Sequence, residues 1–201
     1  MEYIAYTSGE PSGIGPDIAV IYAQKERDEN LQVYCDPDVL LKRAKLLNLP
    51  LALTENPTQN IGELSIFPVK AKQEVIPGKL DPNNAEYVLS LLQEATENTL
   101  EKRTRGILTG PINKAVINEA GIEFSGHTEY FAELSNCSKT VMLLATSKLK
   151  VALATTHLAL KDVRGLVNWF FIPCARGPTP SPYEGAPPPL VGSVLCTAHR
   201  R

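Results

Sequence analysis

Short apolar, β-branched runs alternate with amphipathic segments along the first 163 residues of the chain. Runs of about five such residues predict strands, and apolar positions spaced three and four apart predict helices. The predicted strands are Ile4–Thr7, Leu31–Cys35, Leu64–Val69 and Arg105–Thr109. The predicted helices are Pro16–Asp28, Pro37–Leu47, Pro82–Lys102 (with Asp81 as N-cap), Lys114–Glu119 and His127–Leu134. This order predicts an α/β protein.

Two further β-rich runs, Thr140–Thr146 and Leu149–Thr155, are separated only by Ser147 and Lys148. That spacing predicts a hairpin. Hairpin strands are antiparallel, whereas strands joined through helices are parallel. We therefore expect the sheet to be mixed.

The pattern changes abruptly near Val163, and the chain divides into a segment 1–163 and a tail 164–201. The tail holds seven of the 16 prolines and carries four arginines against one acid, Glu184. Proline at this density removes backbone donors and blocks both helix and central strand. We expect the tail to be irregular or disordered. Its composition resembles a frameshift or read-through product, and a natural Pro-rich extension is the alternative.

Composition and charge exclude several classes of protein. The 201 residues are 43% hydrophobic and 21% charged, as in ordinary globular proteins. A formal net charge of -2 gives no electrostatic case for nucleic acid binding. No apolar run approaches the roughly 20 residues of a membrane span, and the first residues do not resemble a signal peptide. Four scattered cysteines without a CxxC pair favour free thiols in a reducing cytoplasm.

Two predicted strands end in loops with possible binding chemistry. Thr7–Asp17 follows the first strand, where ligand-binding loops of α/β proteins lie. It lacks the third glycine of a dinucleotide fingerprint, since Ile18 stands there, and it lacks the Lys-Ser/Thr pair of a P-loop. The alternative is a tight turn that uses glycine freedom. In the second loop, Thr109–Lys114, Lys114 follows a Gly-Pro turn and could bind an anionic substrate. The alternative is that Lys114 is a solvated surface residue.

Two of the three histidines fall at element boundaries. His127 and Thr128 begin a predicted helix after Gly126, where free amides and the helix dipole favour an anion such as phosphate. His157 ends a β-rich run, where its imidazole could reach a metal. A structural role is the alternative for each, and two ligands do not complete a metal site.

Four segments occur in an order that resembles the 4-hydroxythreonine-4-phosphate dehydrogenase family. They are SGEPSGIGPD (8–17), TGPINKAVINEAGI (109–122), FSGHTEYFAE (124–133) and VMLLAT with LKVALATTHLALKDV (141–163). The resemblance runs from about residue 3 to Val163 and covers the N-terminal half of such an enzyme. Asn113 departs from it, because relatives often have histidine before the lysine.

The resemblance implies an isocitrate-dehydrogenase-like α/β/α architecture, a homodimer, and oxidation of a phosphorylated amino-hydroxy acid with NAD or NADP in vitamin B6 synthesis. It also implies that His127 and Thr128 bind substrate and that His157 supplies one ligand to a divalent metal (zinc, or magnesium or cobalt) shared across the dimer. It further implies that the other metal ligands, the rest of the substrate site and most of the NAD-binding segments lie beyond the resemblance, and it identifies no catalytic residue here. We therefore expect this chain to be inactive alone.

Two other functions stay open at this point. One is a non-catalytic phosphate-binding or dimerisation module, in which His127, Thr128 and Lys114 hold an anion without redox chemistry. The other is a related dehydrogenase that acts on a different phosphorylated hydroxy acid.

Overall fold

A computed structural model describes residues 3–137, 140–153, 159, 161, 194 and 195. The chain divides into two compact units, 1–135 and 136–201. The elements of the first unit are β1 (Tyr3–Thr7), α1 (Gly15–Ala23), β2 (Leu31–Cys35), α2 (Pro37–Leu46), β3 (Ala52–Thr54), β4 (Glu63–Pro68), a 3-10 turn (Pro82–Asn84), α3 (Ala85–Leu100), β5 (Thr104–Thr109), α4 (Lys114–Glu119) and α5 (His127–Leu134).

The first unit contains a five-stranded sheet in the order β3-β4-β2-β1-β5, and all four of its strand pairs are parallel. Every strand predicted in this region is present, with bounds that differ by a residue or two. The sequence prediction missed β3, a three-residue edge strand that pairs with β4. Three residues are too short for an alternating pattern to appear.

Side-chain alternation on β1 and β2 divides the core between the two faces of this sheet. Tyr6, Val33 and Cys35 face the buried side chains of α1 and α2. Ala5 and Tyr34 face α3, together with Ile117 and Phe124. Because successive strand residues point to opposite faces, this unit has helices on both sides of the sheet. The predicted α/β class is therefore confirmed, and the layers have the order α/β/α.

Local sequence signals explain where two of the helical segments begin. The Asp36 carboxylate accepts from Asp38 N at 2.8 Å and caps α2. Asp81 accepts from Asn83 N at 3.0 Å and caps the 3-10 turn that leads into α3. In both cases a proline follows the aspartate, at a position where its missing N–H costs nothing.

Helix α1 ends at Ala23, five residues before the end predicted from the sequence. The following segment is held by Arg27, which donates to Asn60 O at 3.0 Å and Glu63 O at 2.5 Å. These contacts join the segment to the loop before β4. The early end of α1 is therefore linked to a tertiary contact of Arg27, which no local sequence pattern predicts.

The second unit contains the predicted hairpin, formed by β6 (Val141–Ala145) and β7 (Lys150–Leu153). A two-residue strand, β8 (Val194–Leu195), pairs antiparallel with the other edge of β6. The prediction of one mixed sheet was wrong for the described residues, because parallel and antiparallel pairs lie in two separate sheets. Except for β8, the tail lies outside the described residues, so its predicted irregularity and the boundary at residue 163 stay predictions.

Candidate functional site

The loops that follow β1 and β5 lie at the point where the strand order of the sheet reverses. From β1 the chain adds β2, β4 and β3 on one side, whereas β5 pairs with the opposite side of β1. In open α/β sheets, ligands bind outside the carboxyl ends of the strands at such a switch point. The two segments singled out in the sequence, Thr7–Asp17 and Thr109–Lys114, contain these loops, which comprise residues 8–14 and 110–113.

These two loops contact each other through their backbones. Gly110 N donates to Thr7 O at 2.7 Å, and Glu10 N donates to Pro111 O at 3.0 Å. A Cβ at Gly9 would lie 2.3 Å from Pro111 O, and Gly9 has a φ of +71°. Only glycine fits both the close approach and the left-handed backbone. Gly9 therefore uses the conformational freedom of glycine, as the tight-turn alternative expects, and it also brings the two loops together.

The first loop is fixed by an arginine from α2. Arg43 places Nη1 3.0 Å from Asp17 Oδ2, and donates through Nη2 to Pro11 O at 3.2 Å and Gly13 O at 2.9 Å. Its side chain is only 9% exposed. The loop is therefore a preformed structure. Sequence analysis missed Arg43, because nothing local marks one basic residue of an amphipathic helix as buried.

The second loop leads into α4, whose polar residues organise the connection to α5. Asn113 accepts from Ala115 N at 3.1 Å and caps the helix, which gives this residue a structural role. Lys114 Nζ donates to Ser125 O at 2.6 Å. One turn later, Asn118 accepts from Phe124 N at 2.8 Å. Lys114 and Asn118 therefore both hold the connection just before α5.

Helix α5 begins at His127 with amides that no side chain caps. Its N-cap, Gly126, is extended and supplies no side-chain bond, and the first bond of the helix runs from Tyr130 N to Gly126 O. The amides of the first turn thus have no intrahelical acceptor. Both His127 and Thr128, the predicted substrate-binding residues, are half-buried at this helix start.

The His127 imidazole combines burial with an unpaired polar atom. Its ring lies 6.3 Å from the Phe124 ring and 6.0 Å from the Phe131 ring, measured between centroids. Its Nε2 atom is buried and has no hydrogen-bond partner among the residues that the structure describes. Burial, and then the positive charge of Lys114, lower the pKa of His127 below its ordinary value. The imidazole is therefore neutral at pH 7, and Nε2 is available to a ligand.

The structure thus joins the three motifs into one sequence of contacts. The loop after β1 contacts the loop after β5, and Lys114 at the end of that second loop contacts the turn before His127. Lys114 is exposed, as the alternative interpretation expects, but its ammonium is also bonded to Ser125 O. Asn118 was also missed, although its position four residues after Lys114 places both on one helix face.

The predicted metal ligand cannot be placed. His157 lies outside the described residues, so its role stays a prediction. Within residues 3–137 and 140–153, no group of three or more His, Cys, Asp or Glu side chains is arranged to hold a metal ion. In the part of the chain that is described, no helix combines the length and apolar character needed to cross a membrane.

Comparison with known proteins shows which family has these features. A chain named 4-hydroxythreonine-4-phosphate dehydrogenase from Saccharophagus degradans is 50% identical over 170 residues, which cover 82% of this chain and 51% of that protein. The protein of the same name from Yersinia enterocolitica is 48% identical over 171 residues, covering 82% and 52%. This chain therefore spans about half the length of these relatives.

Solved structures agree with the sequence relatives. The crystal structure of 4-hydroxythreonine-4-phosphate dehydrogenase from Klebsiella pneumoniae superimposes with a TM-score of 0.71 at 27% identity, covering 82% of this chain and 53% of that one. The family model described as pyridoxal phosphate biosynthetic protein PdxA matches residues 27–169. Because this match includes well over half of the 201 residues, the chain belongs to the PdxA family of pyridoxal phosphate biosynthetic proteins.

Proposed function

We propose that this chain is the phosphate-binding part of a 4-hydroxythreonine-4-phosphate dehydrogenase, and that His127 and Thr128 bind the phosphorylated substrate. The complete reaction would be NAD-dependent oxidation of 4-phosphooxy-threonine to a β-keto acid, which loses CO₂ to give 3-amino-2-oxopropyl phosphate in vitamin B6 synthesis. A divalent metal with His157 as one ligand and a homodimer belong to the same proposal. Because the chain spans half the length of its relatives, we expect binding without turnover when it is alone.

The observation that carries this proposal is the buried, unpartnered Nε2 atom of His127 at the uncapped start of α5. A buried polar atom without a partner is costly unless a ligand satisfies it. Gly126, directly before His127, lies against the ammonium of Lys114, and both this ammonium and the uncapped amides of the first turn favour negative charge. A phosphate ester is the anion that fits donors arranged in this way.

Each group has a specific part in holding the phosphate. In the tautomer that carries its proton on Nε2, neutral His127 donates one hydrogen bond to a phosphate oxygen. The Thr128 hydroxyl and the amides of the first turn can donate further bonds. Phe124 and Phe131 keep water away from the imidazole, which strengthens these contacts. The site therefore orients the substrate through its phosphate and leaves the alcohol end for groups elsewhere.

Calorimetry with the full 201-residue chain tests the proposal. We expect 4-phosphooxy-threonine to bind at least tenfold more tightly than unphosphorylated 4-hydroxythreonine, because only the ester meets the donors at α5. His127→Gln and Thr128→Val should each weaken binding about tenfold, since a hydrogen bond to a charged group contributes roughly 1.5–3 kcal/mol. His199→Gln is the matched control, because His199 lies beyond the family match at 27–169. Equal affinity for the two ligands would contradict the proposal.

A non-catalytic phosphate-binding module is the second candidate, favoured by the position of the donors. The start of α5, Lys114 and the loops they contact all lie within the unit 1–135, and binding needs no other part. The same titration with added NAD and zinc separates the two functions. A change in substrate affinity favours the dehydrogenase, and unchanged affinity favours the module. NADH formation by this chain that a chelator abolishes would support the dehydrogenase function. It would also contradict our expectation that the chain is inactive by itself.

A further inference from the structure

The connection between α4 and α5 is held by two polar side chains that project from the same face of α4. Lys114 donates to Ser125 O at 2.6 Å, and Asn118 accepts from Phe124 N at 2.8 Å. Residues four apart lie one above the other on a helix, so both reach the same strip of backbone. The buried side chains of Val116 and Ile117 fix the opposite face of α4 in the core.

The Lys114 side chain also covers Gly126, the residue directly before His127. A Cβ placed on Gly126 would lie 3.1 Å from Lys114 Nζ, 3.6 Å from Lys114 Cε, and 3.0 Å from Glu129 Oε2. The ammonium therefore lies close against the backbone that starts α5. Its bond to Ser125 O fixes the carbonyl that precedes Gly126, and hence the direction in which the first amides of α5 point.

We propose that Lys114 is a positioning residue of the candidate phosphate site: by holding the Ser125–Gly126 turn, it aims the first amides of α5 and the His127 side chain at the ligand. This inference rests on the proposed function, and it assigns Lys114 a different role from direct contact with an anion. The lysine ammonium is held in place by its bond to Ser125 O, and its charge adds to the positive potential at the helix start.

The charges around His127 agree with this role. Lys114 is the positive group that acts on the imidazole, and its charge disfavours the imidazolium form. The Glu129 carboxylate belongs to the first turn of α5 and lies on the same side of Gly126 as Lys114 Nζ, 3.0 Å from the position of the added Cβ. Phe124 and Phe131 flank the ring and carry no charge. Loss of the ammonium should therefore make His127 easier to protonate.

Three substitutions in the full chain separate the hydrogen bond of Lys114 from its charge. Lys114→Met removes both, Lys114→Gln keeps a donor without charge, and Lys114→Arg keeps both. Lys25→Met, at an exposed lysine just after α1, is the matched control. The measurements are hydrogen exchange of the hydrogen-bonded amides of Phe124 and Tyr130, the His127 pKa by NMR, and the affinity for inorganic phosphate.

We expect Lys114→Met to speed amide exchange at Phe124 and Tyr130, raise the His127 pKa and weaken phosphate binding about tenfold. Lys114→Gln should raise the pKa but keep exchange slow, and Lys114→Arg and Lys25→Met should resemble the unmodified chain. If Lys114→Met weakens phosphate binding without any change in exchange, the lysine contacts the anion itself and the positioning role is overturned. Unchanged affinity and pKa overturn it as well. If the unmodified chain binds no phosphate, the proposed function fails, whereas exchange and pKa still report on Lys114.

Discussion

The contact between Arg43 and the loop after β1 makes the most quantitative prediction for this chain. The substitution is Arg43→Met, which keeps the length of the apolar part of the side chain but removes the guanidinium. It deletes the ion pair with Asp17 at 3.0 Å and the bonds to Pro11 O and Gly13 O at 3.2 and 2.9 Å. The Asp17 carboxylate and two carbonyls then lose their partner.

The magnitude follows from how far water can replace the lost contacts. Breaking a buried ion pair by removing one partner costs roughly 3–5 kcal/mol. The side chains of Arg43 and Asp17 are 9% and 20% exposed, so water partly compensates the carboxylate. We therefore expect the free energy of unfolding to fall by about 3 kcal/mol. Arg43→Lys keeps the charge but cannot span all three acceptors, and should cost about 1–2 kcal/mol.

Urea unfolding followed by circular dichroism measures these differences. Arg105→Met is the matched control, because Arg105 also forms an ion pair, with Glu29, but the two side chains are 36% and 41% exposed. An exposed pair contributes about 0–1 kcal/mol, so this change should be nearly neutral. A double-mutant cycle of Arg43→Met with Asp17→Asn should show a coupling energy above about 1 kcal/mol.

The reasoning would be refuted if Arg43→Met and Arg105→Met destabilised the chain equally, or if Arg43 and Asp17 were energetically independent. Either result would mean that the loop after β1 keeps its conformation without the guanidinium. Amide exchange across residues 9–16 provides a second readout, and should become faster in Arg43→Met but not in Arg105→Met.

Two other predictions concern the loop and the histidine. In Gly15→Ala the new Cβ would lie 1.8 Å from Ser8 O, so the backbone must move, and the free energy of unfolding in urea should fall by about 3 kcal/mol or more. In the control Gly13→Ala the nearest neighbour of the new Cβ lies at 3.3 Å, so the cost should be under about 1 kcal/mol. Similar costs for the two variants would contradict the observed packing. Because the folded-state pKa of His127 is lowered, the unfolded chain binds a proton first as pH falls below 6.5, and stability should decrease from there towards the folded pKa. Urea midpoints of His127→Gln should lose this part of the pH dependence, and an unchanged profile would count against the neutral buried imidazole.

Much of the fold could be predicted because local patterns carry it. The strand Leu31–Cys35 and the helices Lys114–Glu119 and His127–Leu134 have the bounds expected from the sequence. Apolar periodicity and capping chemistry depend only on residues within a few positions of each other, so a single sequence contains them. The helix start at His127 was predictable for the same reason. The four segments 8–17, 109–122, 124–133 and 141–163 together indicated the family.

Long-range pairing needed the three-dimensional structure. Strand order, the switch point between β1 and β5, and the separation of the hairpin into a second sheet depend on which distant segments meet, and local periodicity does not encode that. The same holds for the burial of Arg43 and for the contact of Lys114 with Ser125, because a basic residue in a helix has the same local pattern whether its charge meets water or a carbonyl. The chemistry of each residue and most helix ends can thus be predicted from the sequence alone. The arrangement that places Phe124, Phe131 and the charge of Lys114 around His127 arises only when separate segments exclude water together.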